Sequence, residues 1–463
     1  MADNLLNLDA TDLVAALRRR EVSALEVTEL YLRRIEEHNP NVNAVREINP
    51  RALEFARQLD QQNPTGLLHG LPVLLKDNID TEGELHTTAG AWNLRAHRAE
   101  RDAPLVAQLR AAGAIVLGKA NMTEWANFTT FGMPNGFSSL GGQVRNPWKD
   151  GADVGGSSSG SGAAVAARLA PIAVGTETSG SILSPASSNG VVGLKPTVGR
   201  VSRGGIIPIA SSQDTAGPLS RTVRDAALLL SAMSAQDSHD QATHAAPPFE
   251  PDFSPDALAG ARLGVARKAW DRLTPERRSA LDDVLEVLRQ AGAVIVEDSD
   301  LSTWDELQHG GLEVLVYEFK RDLNAYLGGV RNGPRSLREV ISQNEAEGHM
   351  PYGQLLLLAA EATSGTLREG AYLRARARDL ELARDRGLSA LFSGLSLDAW
   401  LSPGAGASHV GAKAGFPSVC VPVGVVEGTP LALTLTGPAW AEPRLLSMAA
   451  AYETLRGPWE AGL

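Results

Sequence analysis

The chain has 463 residues, of which 43% are hydrophobic and 21% charged, with a formal net charge of −11. That length suits one large or two medium domains, and the acidic balance argues against a nucleic-acid or anionic-membrane surface. A single cysteine, Cys420, excludes a disulfide framework and a thiolate zinc site.

The first residues, MADNLLNLDATDL, lack a basic stretch followed by an apolar one, so no secretory leader is expected there. No apolar run approaches the ~18 residues of a membrane span, and a cytoplasmic location is expected. TDLVAALRRR and SALEVTELYLRRIEEHN read as helices, the second opened by Ser23 and Glu26 at capping-box spacing. GLPVLLKDNI and GAIVLGKA read as buried strands, with DAPLVAQLRAAG as a helix between them that Gly113 closes. After the run GGSSSGSG come a helix-forming AAVAARLA and a strand in PIAVGTETSGSI. RTVRDAALLLSAMS is a helix leading to a polar loop, and RLGVA, SALDDVLEVLRQAG and AVIVED form another strand–helix–strand unit. Helices dominate about 303–393, and AWLSP, SVCVPVG and LALTLTGP return to strands before a last helix. Cys420, within the apolar SVCVPVG, reads as a buried small hydrophobe. These alternations predict an α/β fold: a single large domain over residues 1–463, with a central mixed, mostly parallel sheet covered by helices on both faces.

Gly155 to Gly162 hold four serines and four glycines, a composition typical of flexible spacers. Their place between a loop and a helix that feeds a buried strand favours a tight turn instead, with hydroxyls at a helix start. A phosphate cradle would need a lysine after the glycines, and none lies between Lys149 and Lys195. Gly156 to Gly160 match the nucleophile elbow G-x-S-x-G centred on Ser158. The preceding RNPWKDGADV is not a strand, however, and only His409 offers itself as a partner. The scattered histidines give metal catalysis little support, no S-x-x-K occurs, and no cofactor is expected.

Serine and lysine from distant segments remain an option. Lysine is scarce, at seven residues against 36 arginines, and Lys76 stands inside the apolar LPVLLKDNI. A strand lysine is commonly solvated at an edge. If buried, its pKa falls by up to about 3–5 units from roughly 10.4, which leaves an amine able to take a proton near neutral pH. Asp77 would oppose that only if it touched the amine, and strand neighbours point to opposite faces.

GLPVLLKDNID, GGSSSGSGAAVAA and GTETSGSI, in this order and with 24 residues from Ser157 to Ser181, resemble the amidase-signature family of amide hydrolases. TTAG, NPW, VVGLKPT and QDTAGP support the match, which is strong over about 65–220 and weaker towards the end. The resemblance implies a Ser–cisSer–Lys triad with Ser181 as nucleophile, Ser157 as bridging serine after a cis peptide, and Lys76 as base. It further implies an oxyanion hole from the backbone of Thr178, Ser179 and Gly180, with Ser158 as a supporting hydrogen-bonding serine and Ser159 and Ser161 shaping the turn. The expected reaction is hydrolysis of a small-molecule or peptide carboxamide through an acyl-enzyme, with neither nucleic acid nor membrane as partner. Ser179 and Leu183 depart from the family pattern, in which glycine or aspartate and arginine are frequent. GGSSSGSG, GTET and YEFKRDLNAYL look most like peptide amidases and related stand-alone amidases, which act on C-terminal peptide amides or simple carboxamides. The A subunit of a glutamyl-tRNA amidotransferase, or a non-catalytic scaffold of the same fold, are the alternative readings.

Overall fold

The computed structural model describes residues 2–309 and 311–459, so positions 1, 310 and 460–463 of the expected domain lie outside it. Thirteen strands occur among the described residues. In the first half of the chain they are β1 Val45–Ile48, β2 Pro72–Lys76, β3 Ile115–Ala120, β4 Phe137–Ser138, β5 Gly142–Gln143, β6 Ile172–Glu177, β7 Val192–Lys195 and β8 Thr215–Ser220. The second half adds β9 Arg262–Val265, β10 Val294–Val296, β11 Ala399–Pro403, β12 Ser418–Val426 and β13 Thr429–Thr436. Eleven of them form one sheet in the order β1-β3-β2-β6-β8-β7-β12-β13-β11-β9-β10, while β4 and β5 pair apart.

The sheet is mixed. Parallel pairing is confined to β3–β2–β6 on one side and β11–β9–β10 on the other. These blocks contain the strand–helix–strand units read from the sequence, because a parallel connection needs a crossover. Between them, and at the β1 edge, the ladders are antiparallel.

Local signals explain the helices well. Helix Ala24–Val42 opens with the expected capping box, Ser23 Oγ accepting from Glu26 N at 3.1 Å and Glu26 Oε2 accepting from Ser23 N at 2.8 Å. Such a cap contributes about 1 kcal/mol. β1, β7 and β8 were not legible. VREI in β1 is a short edge segment with a half-exposed pattern, and β8 carries Pro218, a residue that argues against an inner strand.

The main core runs along both faces of the sheet. A second apolar cluster joins Val314, Phe319 and Leu323 of the helical insertion to Trp125, Phe128, Ile207 and Ile209. That cluster fastens helix Glu313–Leu327 over the loops that leave the C-terminal ends of β2 and β3. In open α/β sheets ligands gather at such strand ends. Among the described residues no helix is long and apolar enough to cross a membrane.

Candidate active site

β2 and β6 are adjacent and parallel, Val73 facing Ile172 and Leu75 facing Val174. Their carboxyl ends therefore bring Lys76 beside Thr176 and Glu177. Lys76 is completely buried. Its Nζ donates to Ser157 Oγ at 2.8 Å, to Thr176 Oγ1 at 2.9 Å and to the Thr176 carbonyl at 3.1 Å. Burial pushes the Lys76 amine down to about 7, against the nearby charges of Glu177 and Asp214, which hold it up. An ammonium has three donors, and three acceptors surround this one.

Asp77 does not oppose this, because it turns away. Its carboxylate pairs with Arg46 at 2.7 Å and accepts from the Thr88 hydroxyl. Two other strand lysines are equally buried, Lys119 and Lys195, each pushed down to about 8 by desolvation. Lys119 donates to Ile79 O and Thr87 Oγ1, and Lys195 to Pro196 O. Burial in an apolar strand is thus shared by three lysines, and only Lys76 meets the serine–glycine run.

That run is packed solid, as a tight turn and not a spacer would be. Ser157, Ser158, Ser159 and Ser161 are all fully buried. The Gly156–Ser157 peptide is cis, as the resemblance implies. Gly156 has no room for a side chain: a Cβ there would stand 2.6 Å from Asn135 Oδ1 and 2.7 Å from Thr123 Oγ1. Thr123 N donates to Ser157 O at 3.1 Å and fixes the turn from the other side. Ser159 Oγ donates to Gly155 O at 2.6 Å and Ser161 Oγ to Val174 O at 3.1 Å, so both tie helix Ser159–Ala166 to its surroundings.

Ser158 is no elbow nucleophile. Its Oγ donates to Thr176 O at 3.0 Å and accepts from Thr176 N at 3.1 Å, which commits the hydroxyl to the backbone of β6. His409 sits elsewhere, at 3.2 Å from Gln308 and edge-on to Trp304. The backbone N–H of Ser158 donates to Ser181 O at 3.1 Å, which draws the serine–glycine run and the SGSI segment together.

After β6 the chain turns through Thr178, Ser179 and Gly180 to Ser181, with Gly180 at φ +90°, a conformation that favours glycine. Helix Leu183–Asn189 follows, and Glu177 Oε2 accepts from Ile182 N at 2.7 Å and Leu183 N at 3.0 Å. Leu183 itself is buried in the core and lines no part of the cavity in front of Ser181. Asp214 steadies the other side. Its carboxylate accepts from Thr178 Oγ1 at 2.5 Å and from Ile209 N and Ala210 N, both at 2.9 Å, and burial raises it to about 7.

The structure thus brings Lys76, Ser157, Ser158 and the 178–181 turn into one cluster. Sequence reasoning missed Thr176, Glu177 and Asp214 as its supports. Thr176 and Glu177 lie in the quoted GTET and Asp214 in QDTAGP, so the motifs held them without showing their roles. Asn78 was also missed. Its Nδ2 donates to Thr176 Oγ1 at 3.0 Å and so props the hydroxyl that contacts Lys76. Among the described residues, no group of three or more His, Cys, Asp or Glu is placed to hold a metal ion.

The Amidase family model matches residues 26–413. The chain belongs to the amidase family. A probable amidase of Arabidopsis thaliana is 40% identical over 96% of this chain and 88% of its own length. The native peptide amidase of Stenotrophomonas maltophilia superposes with a TM-score of 0.90 at 41% identity, covering 98% of each chain. The A subunit of the glutamyl-tRNA amidotransferase of Thermotoga maritima shares the fold less closely, with a TM-score of 0.72 at 25% identity over 97% of this chain and 95% of its own. The amidase is therefore an amide hydrolase with a single α/β domain.

Proposed function

We propose that this amidase cleaves the C–N bond of a primary carboxamide with Ser181 as nucleophile, Ser157 as proton bridge and Lys76 as base. The 2.8 Å contact between Lys76 Nζ and Ser157 Oγ carries the assignment. A serine hydroxyl needs a base to become an effective nucleophile, and a lysine lowered to about 7 is unprotonated often enough to serve.

As Ser181 Oγ attacks the carbonyl carbon, its proton passes to Ser157 Oγ while the Ser157 proton passes to Lys76 Nζ. The carbonyl oxygen gains negative charge beside the Thr178–Gly180 backbone, where N–H groups stabilise it. The ammonium then returns its proton through Ser157 to the leaving nitrogen, and ammonia departs from an acyl-Ser181 ester. Water attacks that ester by the same relay in reverse, releasing the acid and restoring the hydroxyl.

C-terminal peptide amides are the substrate class we assign. The near-complete superposition on a peptide amidase supports this choice, and the weaker likeness to the amidotransferase A subunit favours it over a role within a tRNA-dependent complex. The reaction needs no cofactor. The single buried cysteine suits a reducing cytoplasm. We take residues 1–463 as one amidase-signature domain, with 303–393 as its helical insertion.

Ammonia release from an amidated dipeptide tests the function. The wild-type protein should release it, Ser181→Ala should not, and Lys76→Ala should do so far more slowly. Equal release by Ser181→Ala would remove Ser181 from the mechanism.

A further inference from the structure

In front of Ser181 lies a cavity of about 320 Å³, which Thr178, Ser179 and Ser181 close at one end. This is near the lower bound of small-ligand pockets. Its large side chains are apolar: Phe128, Phe131 and Met133 from the loop after β3, and Leu312, Leu315 and Leu356 from the helical insertion, with Asn127 and Thr130 as uncharged polar groups among them. No charged side chain lines it among the described residues.

The walls are held from behind. Phe128 packs on Phe319 with ring centroids 4.7 Å apart, and Leu356 N donates to Thr129 O at 3.0 Å. At the mouth the support ends, and Phe131 is 64% exposed. Leu312, Leu355 and Leu358 are exposed as well, although most large apolar side chains of the chain are buried. A surface aromatic on the wall of a reaction cavity is poised to be covered by whatever enters.

The chemistry decides which part of the substrate enters. The leaving group of a primary carboxamide is ammonia, which has no apolar surface and fills little space. A cavity of this size and lining in contact with Ser181 therefore serves the acyl side. We propose that it is the subsite for the side chain next to the scissile amide, and that it selects peptides ending in a large apolar or aromatic residue amide over those ending in an acidic or basic one. An ionised side chain there would lose hydration and find no opposite charge. A Phe or Leu side chain would cover Phe131 and displace water from an apolar wall.

This inference rests on carboxamide hydrolysis at Ser181, so the test separates binding from turnover. The Ser181→Ala protein is titrated calorimetrically with the N-acetylated amides of Phe, Leu, Glu and Lys. The Phe and Leu amides should bind at least about 10-fold more tightly than the Glu and Lys amides, and wild-type kcat/KM should separate them by about 100-fold. Phe131→Ala should reduce the Phe-over-Glu affinity ratio by about 10-fold. Leu312→Glu, at an exposed position on the cavity wall, should shift preference towards the Lys amide. Equal affinities for all four amides, or no binding of the Phe amide, would overturn the subsite. Selective binding without ammonia release from wild type would uphold the subsite and remove the hydrolytic reading instead.

Discussion

Glu177 and Ile182 are joined across the nucleophile: the Glu177 carboxylate at the end of β6 accepts the Ile182 N–H at 2.7 Å, with Ser181 between them in the chain. The same carboxylate also takes Leu183 N at 3.0 Å. One buried acid thus closes the turn that presents Ser181, while its charge raises the Lys76 pKa. Glu177→Gln keeps an acceptor for the two N–H groups and removes the charge. The acid limb of kcat/KM against pH should therefore move to lower pH in this variant. An unmoved or raised limb would show that Glu177 does not set the base.

Lys76 sets the acid side of the wild-type pH profile. The reaction needs the free amine, so kcat/KM should rise with pH and level off above about 7. Lys76→Ala should lower kcat by about 10²–10⁴-fold. A bell centred well below pH 6 in the wild type would point to a carboxylic acid as the essential group.

Stability carries the same signature with its own sign. The amine is lowered to about 7 in the fold and stays near 10.4 in the unfolded chain, so the unfolded state holds more protons between those values. The cost of burying the ammonium is full below about pH 7 and is relieved as pH rises towards 10.4. Lys76→Met removes that cost. Its Tm relative to wild type should be more favourable at pH 6 than at pH 9, and a pH-independent difference would mean that Lys76 is not desolvated.

Ser158 makes a structural prediction. Its hydroxyl satisfies both the N–H and the carbonyl of Thr176, each buried. Ser158→Ala should lose about 1–3 kcal/mol in denaturant unfolding. Because Thr176 also contacts Lys76, kcat should fall while the modification of Ser181 by reactive reagents remains detectable. A loss of kcat to the level of Ser181→Ala, with stability unchanged, would give Ser158 a direct chemical role.

Much of this was legible in the sequence because backbone constraints leave strong marks. The glycines around Ser157 mark places where another segment of backbone comes too close for a Cβ, as Pro185 does at Gly155 and Asn121 at Gly160, and the KDN and GTETSGS segments end adjacent parallel strands. The capping box at Ser23 and Glu26 was readable for the same local reason. What escaped was set by tertiary contact. VREI becomes a strand only because β3 offers an edge, and TAGPLS does so despite Pro218. Lys119 shows why burial alone could not identify the base, since it too occupies an apolar strand and meets only a carbonyl and a threonine. The apolar walls at Phe131, Leu312 and Leu356 carry no motif, and only the folded insertion brings them to Ser181.

The central claim is that Ser181 is the activated nucleophile and that Lys76 activates it through Ser157. Treatment with a fluorophosphonate, followed by peptide mapping in a mass spectrometer, tests this most directly. The account predicts a single phosphonylated serine at Ser181, with labelling largely lost in both Lys76→Ala and Ser157→Ala. Label on Ser158, or label on Ser181 that persists unchanged without Lys76, would contradict it.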